Sequence, residues 1–395
     1  MILYRLFLLL ALIAAASPVS AKLDSVPSLK IKNVSITPTG RILMDAAAFT
    51  PDGNGLNAGA ALPDIRLGAK ATFGNWSANI DIGFGYGKLS MKDVYIRYDF
   101  NPRNNIRAGY FVHQFGLSSA VSSSFKPSME AGASEDLFSG TDRNLGIQYI
   151  HDAPAWFASA SAILSKASFT KHANEQGKVS YGGITRLVFR PWHADGIIGQ
   201  IGWSGMLRSA EHYAVKGADG KTRPGDGYFK LSAKFPTRVC DTPMLGATVT
   251  HARHIFKMTP EWLLAYKRIA AEGQYYFMHI SRQAGYEHYE AQGVYTLLRG
   301  VILGGDYGYN AATAKMADCG AKTLELVLGY NYTDAVDSHA GIFGGYTNDV
   351  SATLNYYFNK YVIARIGWRY VNVRNSAVQE NRHVNIFAAR ISFKF

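Results

Sequence analysis

The chain has 395 residues, of which 13% are aromatic and only 18% charged, with 39 glycines, 24 tyrosines and 21 phenylalanines. This composition excludes a disordered chain and favours strands and turns over helices. A formal net charge of +12 points to anionic partners, and the export signal described next argues against nucleic acid among them.

Arg5 is followed by "LFLLLALIAAA", an apolar run too short to span a bilayer, and then by "SPVSA". Val19-Ser20-Ala21 suits a small-residue cleavage site, so residues 1–21 read as a signal peptide and 22–395 as one mature domain. No later apolar stretch is long enough for a membrane-spanning helix.

From residue 79 onward the chain alternates. In "NIDIGFGY", Ile80, Ile82, Phe84 and Tyr86 oppose Asn79 and Asp81. In "KDVYIRYDF", Val94, Ile96, Tyr98 and Phe100 oppose Asp93, Tyr95, Arg97 and Asp99. "YFKLSAKF" sets Phe229, Leu231 and Phe235 against Lys230 and Lys234. "LELVLGYNY", "VSATLNYYFN" and "YVIARIGWRY" repeat the pattern, with Glu325, Asn355, Arg365 and Arg369 on the polar side. The chain ends on "HVNIFAARISFKF", where Phe387, Ile391, Phe393 and Phe395 oppose Arg390, Ser392 and Lys394.

Successive side chains of a strand point to opposite faces. Segments of about ten residues with aromatics on the apolar face, separated by clusters such as "FNPRNN" and "TPDGNG", mark a transmembrane β-barrel. In hydrocarbon every backbone group must pair, so the sheet has to close around a wet lumen. The mature length predicts an all-β antiparallel barrel of about 16 strands. A soluble β-sandwich alternates too, but its segments are shorter.

Near its start the chain reads "PTGRILMDAAAFTPDGNG" and "PDIRLGAKATFGNWSANIDIGFGYGKLSMKDVYIRY", which holds a Lys-Asp-x-Tyr-x-Arg-Tyr element at Lys92, Asp93, Tyr95, Arg97 and Tyr98. "AGYFVHQFGLSSAVSSS", "AEGQYYFMHISR", "LELVLGYNYTD" and the final strands follow. In this order the segments resemble the phosphate-selective porin O and P family, especially its Bacteroidetes-type members. The resemblance implies a homotrimeric channel in the outer membrane of a Gram-negative bacterium, embedded in its lipid and passing small anions, phosphate among them, passively. It also places Lys126, in "SSSFKPSMEAG", on a pore-constricting third loop. The family's Gln-Phe-Lys-x-Pro-Phe-Gly-Leu-Glu pattern is replaced here by residues 110–118, and no Arg-x-Arg-x-Arg run is present.

Taking the oily parity as outward puts Arg97, Arg107, Arg186, Arg190, Arg365, Arg369, Arg390, Lys230, Lys234 and Lys394 inside, with fewer acids, among them Asp93. A lumen with surplus guanidinium groups concentrates anions. Two alternatives stay open: a channel for sugars or other neutral solutes, with Tyr95, Tyr276 and Tyr357 as a stacking track, and a barrel enzyme. Neither a cofactor nor a metal is expected. "GFGYGK" lacks P-loop spacing, "HARH" lacks a further patterned ligand, and no Gly-x-Ser-x-Gly elbow occurs. Cys240 and Cys319 lie in loop-like segments, where a disulfide is allowed.

Overall fold

The computed structural model describes residues 26–122, 124–139, 143–164 and 179–395. The expected signal peptide and its cleavage after Ala21 lie outside the described residues.

Sixteen long strands form the wall: β1 (Val34–Thr50), β2 (Gly59–Phe73), β3 (Trp76–Gly83), β4 (Ser90–Asn101), β5 (Asn104–Val112), β6 (Arg143–Asp152), β7 (Trp156–Leu164) and β8 (Tyr181–Ala194), then β9 (Ile197–Ser209), β10 (Ala252–Tyr266), β11 (Ile269–Arg282), β12 (Tyr289–Leu303), β13 (Thr323–Asp337), β14 (Ile342–Tyr357), β15 (Val362–Ser376) and β16 (Arg382–Lys394). Each pairs antiparallel with the next, and β16 pairs back to β1 from Arg41↔Lys394 to Thr50↔Asn385. That last ladder removes the sheet edge that hydrocarbon would not tolerate.

The terminal Phe395 completes the closure. Its N–H donates to Gly40 O (2.9 Å) and Gly40 N–H donates to Phe395 O (3.1 Å). The Phe395 ring lies directly over Gly40, where a Cβ would come within 2.5 Å of Cζ. A side chain there would have to displace the Phe395 ring.

Large apolar side chains remain on the outer surface, among them Leu67, Ile96, Ile201, Leu264, Leu298 and Leu328. In water such a surface would drive association; against acyl chains it costs nothing. Phe73, Trp76, Tyr98 and Phe100 stack beside the short turns at one rim, as do Trp156 with Phe189 and Tyr356 with Phe358. This is an interfacial girdle, and the short turns and the described chain ends assign its rim to the periplasm.

Two connections fold into the barrel. The third outer loop, described over residues 113–122 and 124–139, carries α1 (Gly116–Ala120) and α2 (Ala133–Phe138). At the periplasmic rim, residues 304–322 are far longer than the other turns there and also fold inward. The fifth outer loop holds a separate three-stranded sheet of Glu211–Lys216, Thr222–Lys234 and Pro243–Thr250. Phe229, Leu231 and Ala233 of that sheet, with Phe235 just after it, join a core with Phe115, Leu137 and Phe138 of the third loop and Tyr276 and Met278 of the wall.

Here the parity reading is corrected. "YFKLSAKF" alternates, but its oily face covers core inside the barrel mouth, so Lys230 is exposed on the outer loop and is not a wall residue of the pore. Alternation reports one dry face and one wet face without saying which side of the wall is dry. Likewise β3 stops at Gly83, and Tyr86 belongs to the next loop, its hydroxyl donating to Arg238 O.

Candidate functional site

A continuous water-accessible space of about 790 Å³ runs off-centre through the barrel, bounded by the wall from β1 to β6 on one side and the third outer loop on the other. It reaches from Lys234, Arg238 and Asp241 of the fifth outer loop to Gly40, Lys394 and Phe395 at the periplasmic rim.

The wall side carries opposite charges in mutual contact. Asp64 is held by Arg41 and accepts from Arg66 Nε (2.8 Å), and Arg66 Nη1 reaches Asp81 (3.2 Å). Arg143 grips Asp93 with two bonds (3.0 and 3.1 Å). On the loop side Glu130 meets Arg238 Nε (2.7 Å) and Arg390. Burial favours the neutral acid, but Arg238 and Arg390 outweigh it and hold the Glu130 carboxyl down at about 2.

Three channel cations have no acidic partner among the described residues. Lys92 projects from the outer end of β4. Arg107 donates to Gln148 (2.9 Å) and lies 4.1 Å over the Phe111 ring. Lys394 sits 3.9 Å from the Phe125 ring centre at the periplasmic end. These three positions step down the channel.

Lys126 lies on the third outer loop and borders the channel. Its ammonium is engaged, donating to Ser118 Oγ (2.8 Å) and to Glu135 (2.9 Å). Against the cost of burial, Lys126 holds the Glu135 carboxyl below its usual range. Asp136 has no such partner among the described residues. It faces the channel water, yet enclosure by protein together with nearby Glu130 and Glu135 pushes its carboxyl up to about 7.

The other inward arginines do different work. Arg365, 2% exposed, donates Nη2 to Ser124 O (2.9 Å). Arg369 donates to Glu130 O (2.7 Å) and Ala131 O (3.1 Å), and Arg390 to Met129 O (3.0 Å) and Asp45 (2.7 Å). They fasten the third loop to β15 and β16. Arg186 makes a two-pronged pair with Glu261 (3.0 and 2.7 Å) and donates to Thr313 O and Ala314 O. Arg190 reaches Ala311 O (2.6 Å). These two pin the inward-folded segment 304–322 across the lumen. Arg97 pairs with Asp99 low on β4, away from the channel lining. Lys234 pairs with Asp241 (2.6 Å) at the mouth.

Of the ten bases expected to line the pore, Arg107, Lys234 and Lys394 border the channel, as do Asp93 and Lys126. Arg41, Asp64, Arg66, Lys92, Glu130, Arg143 and Arg238 were missed. Asp64 and Arg66 had a usable signal, because they alternate with Ile65 and Leu67 on β2. Arg41 did not, since inward Leu43 beside it is apolar and wholly buried.

The tyrosine track does not form. Tyr276 and Tyr357 are buried in the filled half, and only Tyr95 borders the channel. Cys240 and Cys319 are both free thiols, in the fifth outer loop and in segment 304–322 at the opposite rim. Burial pushes the Cys319 thiol up to about 12.

Residues 36–395 match the family model described as phosphate-selective porin O and P. No curated protein is close enough in sequence to count as a match. The fold is similar to that of in-vitro folded OmpT, an outer membrane protein of Vibrio cholerae solved in trimer form (TM-score 0.57, 10% identity, covering 92% of this chain and 99% of that one). It is similar to an anion-selective porin from Comamonas acidovorans (0.58, 11% identity, 92% and 100%) and to OprB of Pseudomonas putida (0.56, 9% identity, 91% and 94%).

Proposed function

The chain belongs to the phosphate-selective porin O and P family and forms an outer-membrane channel, and from that premise we propose that it passes small anions, phosphate among them, down their gradients. One observation carries this reading. Among the described residues, every channel acid except Asp136 is matched by a cation, whereas Lys92, Arg107 and Lys394 have no acidic partner along the path. The uncompensated field in a narrow aqueous space is therefore positive, which raises anion and lowers cation concentration within it. Guanidinium groups also hold oxyanions through paired donors.

The reading requires no catalysis. A neutral-solute channel is disfavoured by the burial of Tyr276 and Tyr357. Within the family we group the chain with the Bacteroidetes-type members, on the order of its strand motifs. We further propose a homotrimer, as in the trimer form of OmpT, with cleavage of residues 1–21 on export. Mass measurement of the purified protein in detergent tests the last two.

The reversal potential of single channels in a potassium chloride gradient tests the selectivity. Anion preference is the expected result, and cation preference overturns it. Titrating phosphate into chloride and recording block or shift in conductance then tests phosphate as a permeant ion.

A further inference from the structure

Beyond the channel, we propose a transition-metal site on the outer face of the barrel, made by His279, His288 and Glu290 and suited to Zn2+. His279 and Glu290 face each other directly in the β11–β12 register, and His288 precedes Glu290 by two residues. His279 Nδ1 lies 3.0 Å from Glu290 Oε1, and His288 Nε2 lies 3.8 Å from the same oxygen. The three ligand atoms fall within 4.8 Å of one another. Ligands at bonding distance from one tetrahedral zinc are separated by about 3.3 Å, so small side-chain rotations bring all three onto one ion. Two imidazoles and one carboxylate suit zinc, copper or nickel; calcium and magnesium demand more oxygen.

The backbone on either side of His288 is anchored before any ion arrives. Arg282 donates Nη1 to Glu287 O (3.2 Å) and its guanidinium lies 4.9 Å from the Tyr286 ring, which stacks on His251 at 3.9 Å. These contacts fix the sixth outer loop up to the residue before His288. Glu290 is fixed from its other side by its own N–H, which donates to Asp337 (2.9 Å). All three side chains remain reachable, and a cleft of about 470 Å³ between the sixth and seventh outer loops opens onto His288 and Glu290.

His279 and Glu290 alternate with the inward, fully buried Met278, Ile280 and Tyr289, so they point away from the lumen. The site lies just beyond the outward Tyr275–Gln292 hydrogen bond, at the outer end of the wall. A bound ion would tie His288 at the end of the sixth outer loop to the outward faces of the two strands that the loop connects, without entering the permeation path.

The test uses the full barrel in detergent, stripped of metal by chelation, then titrated with Zn2+ by calorimetry and with Co2+ by visible absorption. One saturating ion per chain is expected, with a tetrahedral cobalt spectrum. His279→Ala and His288→Ala should each weaken binding by roughly tenfold or more. Retained heat-modifiable mobility on gels shows that both variants are folded. The proposal is overturned by lack of saturable binding, by unchanged affinity in both folded variants, or by saturation with Ca2+ in preference to Zn2+.

Discussion

Along β1 to β6 most inward charged side chains pair directly with one another beside the channel, whereas from β8 to β16 inward arginines also donate to backbone carbonyls of two segments folded into the lumen. Arg66 and Arg143 pair with carboxylates at the channel surface. Arg186, Arg365 and Arg369 lie beneath the third outer loop and segment 304–322, where the carbonyls of Ser124, Ala131 and Thr313 offer the partner that water would otherwise supply. Inward orientation and access to permeating ions are therefore separate properties. A guanidinium beneath a folded-in loop fixes geometry, and one beside the open half shapes the field.

The largest expected effect lies in the filled half. Arg186→Ala leaves Glu261 buried without its counter-charge, which costs about 3–5 kcal/mol where no water replaces the lost partner. It should appear as a lowered unfolding midpoint, and a stability like that of the parent would mean water reaches Glu261. Shortening 304–322 to a two-residue turn should open that half, raising single-channel conductance by roughly twofold. An unchanged conductance would place the narrowest point elsewhere.

The open half should answer in selectivity instead. Lys92→Glu with Lys394→Glu reverses two of the three channel cations that have no acidic partner among the described residues and should lower the anion-to-cation permeability ratio by roughly threefold to tenfold. Arg365→Gln, by contrast, should leave that ratio near the parent value and increase current noise through a loosened third loop. If Arg365→Gln moved selectivity more than the lysine pair, the division between the halves would fail.

Smaller still is the effect of pH. Asp136 is raised to about 7, so it is largely charged above neutrality and protonates as pH falls through that value. Anion preference should therefore strengthen between pH 8 and 6, read from reversal potentials at constant salt. Asp136→Asn should flatten this dependence, and a dependence that persisted would point to another group. At the bottom of the scale, Gly40→Ala forces the Phe395 ring aside and should cost about 1–3 kcal/mol at the closing ladder.

What the sequence determined by itself was the wall. A period of two needs no knowledge of distant residues, because each strand must present grease to lipid whatever its neighbours do, and from this followed strand type, closure and the inward set of Arg107, Arg365, Arg369, Arg390 and Lys394. Only the tertiary structure decided which inward charges meet water. That depends on where residues 113–142, 210–251 and 304–322 come to rest, and their paths are chosen by contacts such as Arg190 with Ala311 O or Gly116 N–H with Ser204. A backbone carbonyl is the same at every residue, so nothing in the local pattern marks the one that a distant arginine will find.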